Sequence, residues 1–439
     1  MNKQKLPQEL KTLVSWTVRL LGEAIKDQYG EPFYNLIESS RKNLSKNWSG
    51  SPHSWEADLK ILRAEQAKIK KLSNEQKNIF AHCTTCMLEL INRCESSYRT
   101  CRLRQTKRRI HNKKDHQVVL VLTAHPTEAR GPEFLQIFGQ ISGLLEKSLV
   151  EGNQDYKKRI YHLLRILLNV PLTRKEKPEV ADEAKSIFSF CLQPQILGLL
   201  IKIRQEGTNV MLRTWAGGDK DGHPGVNEKT MMKSLQLSRT DLISFISSQF
   251  TQFQAELSLM KNLKSYQQLT TGFQKISDLK NKLTRLAPRD GEKISTFRVQ
   301  LEKYVKTYKS QTGLESQELQ DILDLIWLFP ALVLPLEIRE DSEMVKEAIS
   351  QPKKFAIGRM LYKLAEISQG LEPKWYVRGF VLSMCESLED IHNGILLTEK
   401  TLSKQALPVV PLFETEKALL GGPQILQSLF ASKRSLIRL

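Results

Sequence analysis

The 439-residue sequence has no run of about 18 uncharged apolar residues, the length a membrane-crossing helix needs, so no bilayer-spanning helix is expected. Its opening stretch, MNKQKLPQELKTLVSWTVRLLGEAIKDQ, has no uninterrupted apolar core of a secretion signal, and the expected location is cytoplasmic. No repeat of 20–50 residues and no low-complexity tract stands out, which sets aside solenoids and linker-like chains. Aromatic residues make up only 7% of the chain. No row of aromatic platforms and no recognisable nucleic-acid module accompanies its basic segments.

Cysteine is sparse, with six in all. Cys83, Cys86, Cys94 and Cys101 lie close together beside His82, which raises the question of a metal site. Helical spacing across QKNIFAHCTTCMLELINRCESSYRTC sets all four on one stripe. At about 1.5 Å rise per residue, Cys83 and Cys94 would stand roughly 16 Å apart, whereas zinc ligands converge at about 2.3 Å on one ion. The expectation is therefore core packing of small thiols, without disulfides.

What is abundant is positive charge. Lys plus Arg number 66 against 48 Asp plus Glu, a formal net charge of +18. Such a balance suits anionic partners, among them nucleic acid, acidic membrane surfaces and phosphorylated or carboxylated metabolites. The densest basic stretch, RTCRLRQTKRRIHNKK at 99–114, reads as a solvated helix end and the loop after it. RNA or DNA binding through it is the weakest of three functional readings.

Most of the chain carries apolar residues at helical spacing, over 10–45, 55–104, 133–150, 155–170, 178–206, 229–262, 266–286, 294–312, 316–328, 342–370 and 415–437. Loops are signalled by WSGSPHS and APRDGEK. Five short, nearly continuous apolar runs break this background: QVVLVLTA (117–124), NVMLRTWA (209–216), ALVLPLEI (331–338), GFVLSMC (379–385) and LPVVPLF (407–413). Continuous rather than alternating apolarity predicts parallel strands covered on both faces. Polar groups close each run: His125; GGDKDGHPG; Glu337 and Arg339; Ser383 and Glu386; Glu414 and Thr415. Strands alternating with helices and ending in polar groups predict an α/β, predominantly helical fold. In it an incomplete, five-strand TIM-type β/α barrel (117–439) carries helical insertions and follows a large N-terminal helical arm (1–116). His125 would sit at the rim. Pro126 directly behind it suits the first residue of a helix, whose N–H groups would face the same place and favour an anion.

The motifs bear a family resemblance. VLTAHPTEA, WAGGDKDGHPGV, LPLEIRED, GFVLSMCESLEDIHNGILL and VVPLFET, in this order, resemble segments of bacterial- and plant-type phosphoenolpyruvate carboxylase. VRLLGEAIKDQYGEPFYNLIESSRK and LELINRCESSYRTCRLR resemble its N-terminal helices, and LTRKEKPEVADEA resembles the segment after a helical hairpin. The resemblance runs along essentially the whole chain but covers only the first half of the family's length. Three further barrel strands, a metal-binding aspartate with a lysine nearby, and a glycine-rich loop are not in this sequence. Smaller departures are Arg130-Gly131-Pro132 in place of paired arginines, Lys220 in place of arginine and His223 in place of asparagine. Lysine cannot supply arginine's planar, two-pronged contacts.

The resemblance implies a carbon–carbon lyase joining phosphoenolpyruvate and bicarbonate into oxaloacetate, through carboxyphosphate and an enolate. It implies that His125 acts at the carboxylation step and that Arg339 neutralises phosphate or carboxylate oxygens. Arg130, Gly218 and Asp219 would contact substrate, and Glu414 would be one carboxylate ligand of Mg²⁺ or Mn²⁺. Homo-oligomers are implied too, the family assembling as tetramers. Arg339 beside Glu337 and Glu340 also fits a structural ion pair, and Glu414-Thr415 also fits a helix cap. DKDG at 219–222 fails as a calcium loop, since later ligand positions hold His223, Pro224 and Thr230. Five strands of an eight-stranded barrel leave unpaired edges and an exposed apolar interior. The chain is therefore expected to be competent only with a complementary C-terminal chain. The alternative is a non-catalytic remnant or interaction module that retains an anion site.

Overall fold

The computed structural model describes residues 6–46, 55–105, 116–123, 131–151, 155–173, 179–220, 225–402 and 407–431. The chain divides into two compact units, Met1–His111 with Ala129–Lys177, and Asn112–Glu128 with Pro178–Leu439.

The first unit is helical: α1 (Gln8–Tyr29), α2 (Glu31–Lys46), α3 (Trp55–Lys70), α4 (Asn74–Gln105), α5 (Pro132–Glu151) and α6 (Asp155–Leu167). On α1 the buried residues Leu10, Leu13, Thr17, Leu21, Ala24 and Ile25 recur at three- and four-residue intervals, the stripe that buries a helix on one side. They join Leu90, Phe134, Phe138, Ile141 and Leu163 in one core. The predicted single helices over 10–45 and 55–104 are each two. Gly30, at φ +86°, turns the chain between α1 and α2, a conformation costly for any residue with a Cβ. Before α4 the Ser73 hydroxyl accepts the Gln76 N–H while the Gln76 side chain accepts the Ser73 N–H, a reciprocal cap that starts a new helix. Cys83, Cys86 and Cys94 are fully buried on α4 and Cys101 nearly so; all are free thiols, as core packing requires.

The second unit is a parallel sheet of β1 (His116–Leu122), β2 (Thr208–Thr214), β3 (Leu336–Asp341), β4 (Val377–Ser383) and β5 (Val409–Pro411), in the order β1-β2-β3-β4-β5. All-parallel pairing in sequential order, with helices in the connections, is the half-barrel arrangement the sequence predicts. The helices are α7 (Val180–Cys191), α8 (Pro194–Gln205), α9 (Glu228–Leu259), α10 (Tyr266–Asn281), α11 (Asp290–Thr312), α12 (Gln317–Leu328), α13 (Ser342–Ala348), α14 (Ala356–Ser368), α15 (Leu388–Leu402) and α16 (Glu416–Ala431). No single described helix is long and apolar enough to cross a membrane. The outward strand residues Leu212, Ile338, Phe380 and Leu382 share one core with Leu197, Leu235, Leu325, Leu364 and Leu397 of the helices.

Two strand expectations need correction. β1 is not covered on both faces: Val118, Val119, Leu120 and Val121 are each 39–46% exposed. The third run is displaced, because β3 begins only at Leu336. Residues 331–335 are a buried loop, with Leu332 at φ +48° and Leu332, Val333 and Leu334 fully inaccessible. A buried loop must have its backbone groups satisfied. Here the wholly buried Arg239 of α9 donates to the carbonyls of Ala331 and Leu332 at 2.8 Å each. Ser238 Oγ accepts the Leu334 N–H at 3.0 Å. Arg239 is neutralised by Asp290 at 2.8 Å, whose carboxylate also accepts the Tyr376 hydroxyl at 2.7 Å.

Candidate active site

The site grows from the segment after β2. Thr214 donates its N–H to Pro335 and its hydroxyl to the Leu122 carbonyl, and Trp215 donates its N–H to the same carbonyl at 3.1 Å. The chain then tightens, with Gly218 and Asp219 both donating to the Trp215 carbonyl. It rejoins β3 as an added strand: Arg339 donates to Gly218 at 3.0 Å and Lys220 donates to Arg339 at 2.9 Å. Asp219 and Arg339 thereby form a parallel bridge. Only glycine fits at 218, since a Cβ there would lie 2.2 Å from the Glu337 carbonyl oxygen.

Side chains interlock over this frame. Glu337, buried on β3, accepts Arg213 Nη1 at 2.9 Å and Trp215 Nε1 at 2.8 Å, one on each oxygen. The Arg339 guanidinium lies 5.4 Å from the centre of the Trp215 ring, within cation–π range. Arg339 Nη2 reaches Glu414 Oε1 at 3.1 Å across 75 residues of sequence. The other Glu414 oxygen accepts the Met384 N–H at 3.1 Å. Met384 stands at φ +52° just beyond β4, a left-handed conformation that favours glycine. Alongside, Glu386 accepts the Thr415 hydroxyl and the Lys417 ammonium, and these bonds, that to Lys417 first, hold its carboxyl below the usual range.

The placement of the predicted residues is therefore specific. Arg339, Glu414, Gly218 and Asp219 come together. His125 and Arg130, and Pro126 with the helix start it was to supply, lie outside the described residues. Glu337 and Arg339 sit inside β3 and do not follow it. Of the alternative ion pair of Arg339 with Glu337 and Glu340, Glu337 is engaged by Arg213, and Arg339 reaches Glu414. Thr415, not Glu414, caps α16, accepting the Ala418 N–H at 3.1 Å. Trp215 and Arg213 were not singled out by sequence, although an arginine inside the apolar run NVMLRTWA was a visible signal.

Glu414 is one oxygen donor with both oxygens already bonded, and Mg²⁺ prefers six oxygens in near-octahedral array. Among the described residues no group of three or more His, Cys, Asp or Glu is placed to hold a metal ion. The described residues therefore do not make a metal site by themselves. What they do make is a guanidinium only 15% exposed, backed by an indole and fixed by a carboxylate. Such a fork is suited to phosphate or carboxylate oxygens.

Fold and site together define an α/β half-barrel protein with a charged site where the strands end. A family profile described as phosphoenolpyruvate carboxylase matches residues 107–313. A phosphoenolpyruvate carboxylase of Haemophilus influenzae (strain 86-028NP) is 25% identical over 97% of this chain and 59% of its own length. Those of Aeromonas salmonicida (strain A449) and Salmonella arizonae are 22% and 24% identical, each over 96% of this chain and 58% of their own. The chain is thus similar to phosphoenolpyruvate carboxylases, and it spans a little under 60% of the length of these relatives.

Proposed function

We propose that this chain contributes half of a carboxylase active site, which joins phosphoenolpyruvate and bicarbonate into oxaloacetate and phosphate. The carrying observation is the Arg339–Glu414 pair at 3.1 Å, which joins the interior of β3 to the segment after β5. Arg339 binds and neutralises the oxygens of the anionic substrate, and Trp215 and Glu414 fix the plane of its fork. Gly218 and Asp219, on the loop stitched to β3 at Arg339, contact the substrate, and Arg130 adds a second guanidinium. His125 acts at the carboxylation step. All reacting species are anions, so preorganised cations lower the barrier by offsetting charge that would otherwise repel.

Mg²⁺ or Mn²⁺, taken with Glu414 as one ligand, needs further oxygen donors, which a C-terminal half would supply, in this chain or in another. The same half would cover the edges of β1 and β5, which pair with no further strand among the described residues. Assembly of such pairs into homo-oligomers and a cytoplasmic location belong to the same reading.

The test is to mix the purified chain with a C-terminal half from a relative, both substrates and Mg²⁺, and to follow oxaloacetate. Turnover that needs both chains and falls at least 100-fold in Arg339→Gln supports the reading. The sequence-level alternative, a non-catalytic module that keeps an anion site, is supported if phosphoenolpyruvate binds and a stable two-chain complex forms yet no oxaloacetate appears.

A further inference from the structure

A second cationic cluster lies on the same sheet, between β2 and β4. Arg378, the second residue of β4, is half-buried, and its guanidinium lies 4.4 Å from the centre of the Trp375 ring. Its Nε and Nη2 atoms are buried and have no hydrogen-bond partner. In the register of β3 and β4, Leu336 and Glu337 pair with Val377 and Gly379, on either side of Arg378; Glu337 holds Arg213, whose charge opposes that of Arg378. The surrounding acids are already engaged: Glu337 with Arg213 and Trp215, and Glu372 with Lys374 at 2.5 Å. Burial first, then Arg213, bring the Arg378 guanidinium down to about 10. A guanidinium resists deprotonation, so at neutral pH the cluster holds one more positive charge than its acids offset. Buried donors left unpaired are costly, and the planar fork of a guanidinium matches the oxygens of a carboxylate or phosphate.

We propose that Arg378 and Arg213, with Trp375 as a platform, form a binding site for a small oxyanion of the phosphate or carboxylate class, separate from the Arg339–Glu414 site. Arg378 supplies Nε and Nη2 as a two-pronged donor, and Arg213 adds charge while it remains bonded to Glu337. Occupation satisfies the unpaired donors and removes the repulsion between the two guanidiniums. The proposal is independent of the carboxylase reading, because neither Arg339 nor a second chain takes part.

The probe is inorganic phosphate, titrated into the full chain by calorimetry at constant ionic strength. Wild type and Arg339→Gln are expected to bind it at this site, and Arg378→Gln to lose it by at least 10-fold. Arg378→Lys, which keeps the charge but not the fork, should also weaken binding, which covers the case in which Arg378→Gln folds poorly. In phosphate-free buffer Arg378→Gln should unfold at an equal or higher denaturant concentration than wild type, because a repelled buried cation is removed. No phosphate binding by wild type, or binding unchanged in both Arg378 variants, overturns the proposal. So does binding lost only in Arg339→Gln, which would leave the rim as the single anion site.

Discussion

Trp215 Nε1 donates to Glu337 Oε2 at 2.8 Å, joining the loop after β2 to the interior of β3. Because Arg213 holds the other oxygen of the same carboxylate, Glu337 is the hinge-pin between two arginine-bearing regions. Its indole partner also carries Arg339 on its face, so loss of Glu337 reaches the rim through Trp215.

Glu337→Gln keeps the size of the side chain but leaves Arg213 without its carboxylate. Removing one partner of a buried pair is costly, and a loss of about 2–4 kcal/mol in chemical denaturation is expected. Trp215 fluorescence should change in the folded state of the same variant, because its indole loses a charged acceptor.

Arg339 and Glu414 are partly exposed, at 15% and 36%, so their mutual contribution is modest. A double-mutant cycle with Arg339→Gln and Glu414→Gln should give a coupling of about 0.5–1 kcal/mol that shrinks in high salt. A coupling near zero would mean that the two side chains do not hold each other.

The Arg239–Asp290 pair is wholly inaccessible and anchors the loop that sets where β3 begins. Arg239→Met should cost about 3–5 kcal/mol, since it strands Asp290 and two loop carbonyls in the interior. An unfolding midpoint within experimental error of wild type would show that the loop does not depend on this arginine.

Gly218→Ala places a Cβ against a backbone oxygen 2.2 Å away, and backbone cannot step aside as a side-chain end can. A loss of at least about 2 kcal/mol is expected, with hydrogen exchange accelerated at the Arg339 and Lys220 amides that bind across this strand.

Burial raises the thiols of Cys83 and Cys191 to about 12 and that of Cys94 to about 11. Thiolate is the reactive form, so native protein at pH 8 should react with a thiol reagent far more slowly than denatured protein. The sign for stability follows from the raised values: unfolded cysteine releases its proton near about 8.5, while the folded thiol holds it. Stability is thus intact below about pH 8.5 and falls as pH climbs from there toward 12. Denaturation midpoints at pH 7, 9 and 10 check the direction.

Much of this arrangement is legible in sequence because its signals are local. Five apolar runs within a helical background mark the strands, and Arg339 and Glu414 stand in short motifs at two of them. Where the reading misses, tertiary partners outweigh pattern. Ala331–Leu334 looks like strand because it is apolar, and only Arg239 and Ser238, about 90 residues away, make a buried loop possible there. Glu337 and Arg339 share one face of β3 by alternation, and their partners, Arg213 of β2 and Glu414 after β5, lie far off in sequence. Val118–Val121 reads as buried because apolarity says what a segment avoids, not what covers it. A lone arginine in YVRGFVLS gives no sign of Arg213, because only the packing of β2, β3 and β4 relates the two.

The most direct test of the central claim is calorimetric titration of phosphoenolpyruvate into the isolated chain, with Arg339→Gln and Arg378→Gln beside wild type. The account predicts saturable binding by wild type that Arg339→Gln weakens at least 10-fold through loss of the rim fork. No detectable binding, or binding that Arg339→Gln leaves untouched, would contradict it.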